Sequence, residues 1–331
     1  MPQSLSSTLT QVFPPKPTFT EKDLPNLKEK VYIVTGANTG TGKELTRLLY
    51  SKNARVYMLA RSEDKTSAAI ADIQKTTPSS TGALIFLKLD LADLSTIKAT
   101  AERFLALETK LHVLFNNAGV LSPTVQLATT KQRHELHVGV NCLGTFLLTE
   151  LLTPALVATA GSEPPGTVRV VWVASSATEI FAENRIGIRP ETLSLDALEP
   201  RSRNMPYWLS KVGNWAHGVE YARRHRDDGV VSVPLNPGNL QSDLYRDAGL
   251  AMRFMSKLMM YPPLNGAYTE LFAGLSPDIT IEKTGCWVVP FGRIYPIRDD
   301  LDFATRTEAE GGTGGALKFW EWSEAQVKPY M

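Results

Sequence analysis

Cysteine is scarce in this chain: 331 residues hold two, Cys142 and Cys286. Two thiols cannot build a disulfide framework, so the sequence predicts a reducing, cytoplasmic compartment. An excess of charge of one sign is also missing, because 35 Lys and Arg face 34 Asp and Glu for a formal net charge of +1. With no basic cluster interleaved with aromatics, that balance excludes nucleic acid as an expected partner. No uninterrupted apolar run is long enough to span a bilayer, so no transmembrane segment is expected. The N-terminus has no basic segment followed by an apolar core, so no secretory signal is expected either. Metal-ligand spacing is absent: His134 and His137 stand three apart, but no carboxylate or thiol pattern completes a site. What remains is an ordinary globular balance, 43% hydrophobic and 21% charged.

Against that background two patterns stand out. The apolar run Val31-Tyr32-Ile33-Val34 leads into Thr35-Gly36-Ala37-Asn38-Thr39-Gly40-Thr41-Gly42 and then into a helical stretch starting at Lys43. Strand, glycine turn and helix make a place where a dinucleotide pyrophosphate binds. Glycines let backbone approach the phosphates, and the helix N-terminus offers free N–H groups and a partial positive charge. Downstream, Tyr207 and Lys211 are four apart and share a helix face. A cation there makes a phenol acidic enough to give up a proton near neutrality. A cofactor cradle with an acid points to hydride transfer. Alone, a glycine turn also serves plain tight turns, and Tyr-x-x-x-Lys pairs arise by chance in helices.

Apolar runs alternate with helical periodicity from residue 31 onward. Strands are predicted at 31–35, 55–60, 83–89, 112–115, 168–174, 230–235 and 287–289. Short runs without alternation suit a parallel sheet buried on both faces. The fold class is therefore α/β: a Rossmann-type, doubly wound parallel sheet of about seven strands in a single domain. A long helix is predicted over 133–152 and another over 207–225. Residues 1–27, with Pro14, Pro15 and Pro17, predict an arm without helix, mobile or draped over the domain formed by 28–331. Residues 177–206, with Pro190, Pro200 and Pro206, predict a long loop. Residues 243–265, rich in Met and bulky apolar groups, predict a substrate lid. The run Gly311 to Gly315 reads as a flexible connector to a short helix over 316–327.

Further motifs close other strands: Asn116-Asn117-Ala118-Gly119, Ser175 after Val170–Ala174, and Asn236-Pro237-Gly238. With Asn141 in a helical segment, the ordered set resembles the short-chain dehydrogenase/reductase family over residues 28 to 290. The T-G-x-x-x-G-x-G spacing, Asn141 to Thr149 and Tyr207-x-x-Ser210-Lys211 look like retinol-dehydrogenase-type and fungal members. The resemblance implies Tyr207 as general acid in reduction and base in oxidation, lowered from a free phenol pKa of about 10. It implies that Lys211 also binds the nicotinamide ribose and that Asn141 holds a water in a proton relay to Lys211. Ser175 would hydrogen-bond the substrate oxygen. Ser176 is its rival one residue on, and lining up the trailing Ala-Thr favours Ser175.

For the cofactor, the resemblance implies contacts from Gly36, Asn38, Thr39, Gly40, Thr41 and Gly42 at the turn. Asn116, Asn117, Ala118 and Gly119 would line the adenosine side. Asp90 and Leu91 would meet adenine, with a helix cap as the other reading of Asp90. Pro237, Gly238, Leu240 and Ser242 would meet the nicotinamide, alongside Tyr207 and Lys211. Where NAD enzymes place an acid at the end of the second strand, this chain has Ala60 and then Arg61, which suits a 2′-phosphate and predicts NADP. Thr39 departs from the basic residue many NADP relatives carry before the second glycine. The expected activity is an NADPH-dependent alcohol dehydrogenase or ketoreductase acting on a lipophilic small molecule, in secondary metabolism. An enoyl or imine reductase is the alternative, and a nucleotide-binding regulatory protein without turnover is a third. Many relatives are dimers or tetramers, so a homo-oligomer is implied.

Overall fold

The computed structural model describes residues 5–121, 128–198, 204–241 and 260–331. Among them, β1 (Val31–Thr35), β2 (Arg55–Ala60), β3 (Ala83–Lys88), β4 (Val113–Asn116), β5 (Arg169–Val173), β6 (Val231–Leu235), β7 (Val288–Val289) and β8 (Arg293–Ile294) form one sheet. Its order is β3-β2-β1-β4-β5-β6-β7-β8, parallel except between β7 and β8. The chain runs outward from β1 to β3, then returns to place β4 against the other side of β1. That reversal opens a crevice at the carboxyl ends of β1 and β4, where open α/β sheets bind ligands.

Side-chain alternation divides the core into two layers. Val31 and Ile33 pack with α4 (Leu94–Leu107), α5 (Thr145–Ala160) and Tyr221 of α8 (Met205–His225). Tyr32 and Val34 pack with α2 (Gly40–Ser51), α3 (Glu63–Thr76) and α9 (Pro263–Leu275). β1 and β4 to β7 are buried along their whole length, as their unbroken apolar runs require. One helical stretch, Val138–Ala160, has the length and mean hydropathy of a membrane span, but most of it is buried inside the protein. Its apolar character belongs to the core.

Several expected boundaries move. The helix predicted from 133 begins later, because Arg133 takes a left-handed φ of 65°. The Glu135 carboxylate then accepts the backbone N–H groups of His137 and Val138 and starts the helix there. Its first part, Val138–Gly144, is a π-helix, and α5 follows to Ala160. The predicted loop at 177–206 contains α6 (Ala177–Phe181), a 3-10 turn (Pro190–Leu193) and α7 (Leu195–Leu198). Pro190 and Pro206 sit in first helical turns, where the missing N–H costs nothing. The arm carries α1 (Leu5–Val12), which ends just before Pro14. The glycine run at 311–315 is a packed turn: a Cβ on Gly315 would lie 1.9 Å from the Ile186 carbonyl oxygen. Two short helices close the chain, α10 (Asp302–Thr305) and α11 (Gly315–Val327).

Candidate active site

The glycine turn is built from both central strands. Thr35 Oγ1 donates to the Phe115 carbonyl and accepts the Ala118 N–H at 2.9 Å. Asn117 Nδ2 donates to the Thr35 carbonyl at 2.7 Å, lacing β1 to β4. A Cβ on Gly42 would stand 2.5 Å from Asn117 Nδ2 and 2.7 Å from the Gly36 oxygen, so only glycine lets α2 start this close. Thr39 precedes α2 without a side-chain capping bond, and the first turn of α2 holds no acid. A helix start offers N–H groups without intrahelical partners, and no acid in this first turn opposes an anion. Asn38, Gly40 and Thr41 are half-buried and Thr39 is exposed at this lip.

The α3 start differs. Ser62 accepts the Lys65 N–H, and Glu63 and Asp64 occupy the first turn. Arg61, just ahead of it, is exposed and has no ion-pair partner among the described residues. Asp90 Oδ1 accepts the Ala92 N–H at 3.0 Å, so this carboxylate braces its own turn. Leu91 is buried, with its backbone and Cβ packed against Gly144. Asn116, expected on the adenosine side, is buried and donates to Thr149 Oγ1 at 2.9 Å, which ties β4 to α5.

Tyr207 and Lys211 lie on α8, where they share a face. Lys211 is buried, and its ammonium donates to the Val173 carbonyl at 2.8 Å. Its Nζ lies 5.8 Å from the centroid of the Tyr207 ring. Gly119 makes room for it: a Cβ there would be 3.3 Å from Lys211 Nζ and 3.5 Å from Asn141 Oδ1. Burial pushes the Lys211 ammonium down to about 8, against the opposing pull of the Cys142 thiol and Glu270. Burial likewise pushes the Glu270 carboxyl up to about 8.

Asn141, in the π-helix, is fully buried. Its Oδ1 accepts the Val120 N–H at 2.8 Å, and its Nδ2 donates to Ser210 Oγ at 2.9 Å. Ser210 in turn donates to the Tyr207 carbonyl at 2.7 Å. The asparagine thus couples the β4 loop to the turn of α8 that carries Tyr207. Ser175 follows β5, and its Oγ accepts the Ala177 N–H at 3.2 Å. Ser176 makes no side-chain capping bond to α6. Phe181 at the end of α6 stacks on Trp208, rings 4.0 Å apart and 6° from parallel, which joins the Ser175 segment to the helix of Tyr207.

After β6, Asn236 Oδ1 accepts the Gly238 N–H at 3.0 Å, shaping the Pro237-Gly238 turn. Leu240 packs on Gly266 of α9 and pairs with Tyr261. Gln241 N donates to the Tyr261 carbonyl, and Tyr261 N to the Asn239 carbonyl, each at 2.8 Å. Ser242 and most of the expected lid, residues 242–259, lie outside the described residues. A cavity of about 420 Å³ lies elsewhere, between Arg133, Glu135, Leu193 and Trp322, and neither Ser175 nor Tyr207 lines it.

Gln11, Ser210, Gly266 and Glu270 were not singled out from sequence. Ser210 had a signal, because it stands inside the Tyr-x-x-Ser-Lys string. Gly266 and Glu270 sit on an ordinary amphipathic helix, and only packing reveals them.

A family model described as short chain dehydrogenase matches residues 30–186. A short-chain dehydrogenase/reductase, bet4, of Neocamarosporium betae is 52% identical over 332 residues, covering 99% of this chain and 95% of that protein. Another, of Phomopsis amygdali, is 51% identical and covers 99% and 98%. Among solved structures, a Mycobacterium paratuberculosis protein superposes with a TM-score of 0.64 at 26% identity, covering 94% and 97%. A 3-oxoacyl-[acyl-carrier protein] reductase of Brucella melitensis in complex with NAD gives 0.60 at 22%, covering 80% and 96%. A Shigella flexneri short chain dehydrogenase complexed with NADP gives 0.59 at 20%, covering 79% and 97%. The last two share the fold, and they carry different cofactors.

Proposed function

Because the chain belongs to the short-chain dehydrogenase/reductase family, we propose that it is an NADPH-dependent reductase of a carbonyl group on a lipophilic small molecule. Run in reverse, it is an alcohol dehydrogenase. The single observation that carries this reading is the buried Lys211 ammonium, held by the Val173 carbonyl 5.8 Å from the Tyr207 ring.

The residues present fit a dinucleotide. The glycine turn, Gly36 and Asn38 to Gly42, would hold the pyrophosphate on the α2 N-terminus. Asp90, Leu91 and Asn117 to Gly119 would line the adenosine side. Pro237, Gly238, Leu240 and Ser242 would meet the nicotinamide end. Arg61 would hold a 2′-phosphate, since its guanidinium is exposed and no acid stands at the end of β2. When bound, the reduced nicotinamide supplies the hydride.

The chain's own groups supply the rest. Tyr207 gives its phenolic proton to the substrate oxygen as charge develops there. Lys211 stabilises the phenolate left behind, and each pKa unit of lowering needs about 1.4 kcal/mol of preferential stabilisation. Ser175 supports the same oxygen. Its Oγ already accepts from Ala177, so its hydrogen is left to donate. Asn141 holds Val120 and, through Ser210, the Tyr207 turn in register. Segment 243–265 would close over an apolar substrate, with its described end Tyr261 pinned to Asn239. Burial of apolar substrate area there would contribute about 25 cal/mol per Å².

Purified protein is expected to oxidise NADPH with members of a panel of apolar ketones and quinones. Turnover confined to conjugated alkenes or imines would instead favour the enoyl or imine reductase. Cofactor binding without turnover on any of them would favour a regulatory protein.

A further inference from the structure

The N-terminal helix α1 reaches the nicotinamide end of the site. Gln11 is buried, between half-buried Thr10 and Val12. Its Nε2 donates to Glu179 Oε2 at 2.5 Å, across 168 residues. Its Oε1 accepts Asn236 Nδ2 at 3.0 Å, across 225 residues. Asn236 Oδ1 accepts the Gly238 N–H, so the amide of Asn236 stands between Gln11 and the Pro237-Gly238 turn. Glu179 lies on α6, four residues after Ser175. One glutamine thus joins the segments after β5 and β6.

The helix is also held from outside. Arg293 of β8 donates to Thr10 Oγ1 at 2.9 Å and to the Thr10 carbonyl at 2.8 Å, and it bonds the Pro290 carbonyl as well. Gly238 rests on Pro290 and Phe291: a Cβ on it would lie 3.1 Å from each. Arg293 therefore fixes the residue before Gln11 to the same platform that supports Gly238. A surface arm needs none of these bonds. A glutamine amide suits the place, since it offers a donor to the carboxylate and an acceptor to the asparagine.

We propose that Gln11 is a positioning residue of the active site, holding the Asn236–Gly238 turn in the conformation that receives the nicotinamide end of the cofactor. The inference rests on the NADPH-dependent reading above. Without Gln11, Asn236 can rotate and release the Gly238 N–H, while its own backbone N–H stays bonded to the Val288 carbonyl of β7.

The test is residue-resolved amide exchange on the cofactor-free full chain, with steady-state kinetics beside it. In Gln11→Ala, the Gly238 amide should exchange faster while the Asn236 amide keeps its protection and the melting temperature barely moves. KM for NADPH should rise about 3- to 10-fold, the effect of one hydrogen bond, with a smaller change in kcat. Gln11→Glu should show the same defect at pH 8 and approach wild type as pH falls, because a protonated carboxyl again offers one donor and one acceptor. Unchanged Gly238 exchange overturns the proposal. So does joint loss of Gly238 and Asn236 protection with a lowered melting temperature, which would mark plain packing. If wild type never oxidises NADPH, the cofactor reading fails, and the exchange arm still decides whether Gln11 sets the turn.

Discussion

At the amino-terminal ends of the strands, charges are consumed by one another. Glu163 accepts from Lys30 and Lys110 and lies 3.2 Å from His112 Nε2. Those partners, Lys110 and Lys30 foremost, hold its carboxyl down at about 2. Arg169 at the start of β5 is buried and donates to the carbonyls of Gly166, Ala273, Ser276 and Ile279. At the carboxyl ends, the polar groups are less fully engaged with one another. The α2 start is uncapped by Thr39, Arg61 has no ion-pair partner among the described residues, and Ser175 has a hydrogen to give. The difference separates two uses of polarity in one sheet. Groups that satisfy each other hold strands in place, and groups left open by that scaffold are available to a ligand.

The largest expected effect strikes the open edge. Tyr207→Phe should lower kcat by about 10²–10⁴-fold, the usual range for general acid–base catalysis, with NADPH affinity nearly intact. Steady-state kinetics with a cofactor titration check it. Near-normal turnover would remove Tyr207 from its role. Next comes the closed edge. Arg169→Met leaves four buried carbonyls short of a donor, each worth about 1–3 kcal/mol when unsatisfied. Thermal unfolding should show a loss of about 3 kcal/mol or more, with KM for NADPH unchanged. A KM effect without a stability loss would erase the contrast between the edges. Smallest is Arg61→Ala, which should raise KM for NADPH about tenfold or more while KM for NADH hardly changes. A wild-type preference for NADH would mean that Glu63 and Asp64 govern this corner, not Arg61.

The sequence made the open edge easier to read than its supports. The β1 turn carries its message locally, in a five-residue apolar strand followed by glycines at fixed spacing. Tyr207 and Lys211 share one helix face, so their pairing is also local. The π-helix at Val138–Gly144 was hidden, because all seven of its residues are buried and leave no one-sided period to read. Residues 177–206 were misread since Pro190 and Pro206 mark helix starts as well as loops. β8 has two residues, too few for any periodicity. In the arm, three prolines outweighed the eight residues of α1 before them. Gln11 could not be found at all, because its partners lie 168 and 225 positions away.

The central claim is that the open edge moves a hydride from NADPH to a carbonyl carbon. NADPH deuterated at the transferring position of its nicotinamide should be incubated with wild-type protein and an apolar ketone, and the product examined by mass spectrometry and NMR. The account predicts one deuterium on the carbinol carbon of the resulting alcohol. Deuterium on a carbon beta to an intact carbonyl, or a cofactor that binds and keeps its label with every substrate, would contradict it.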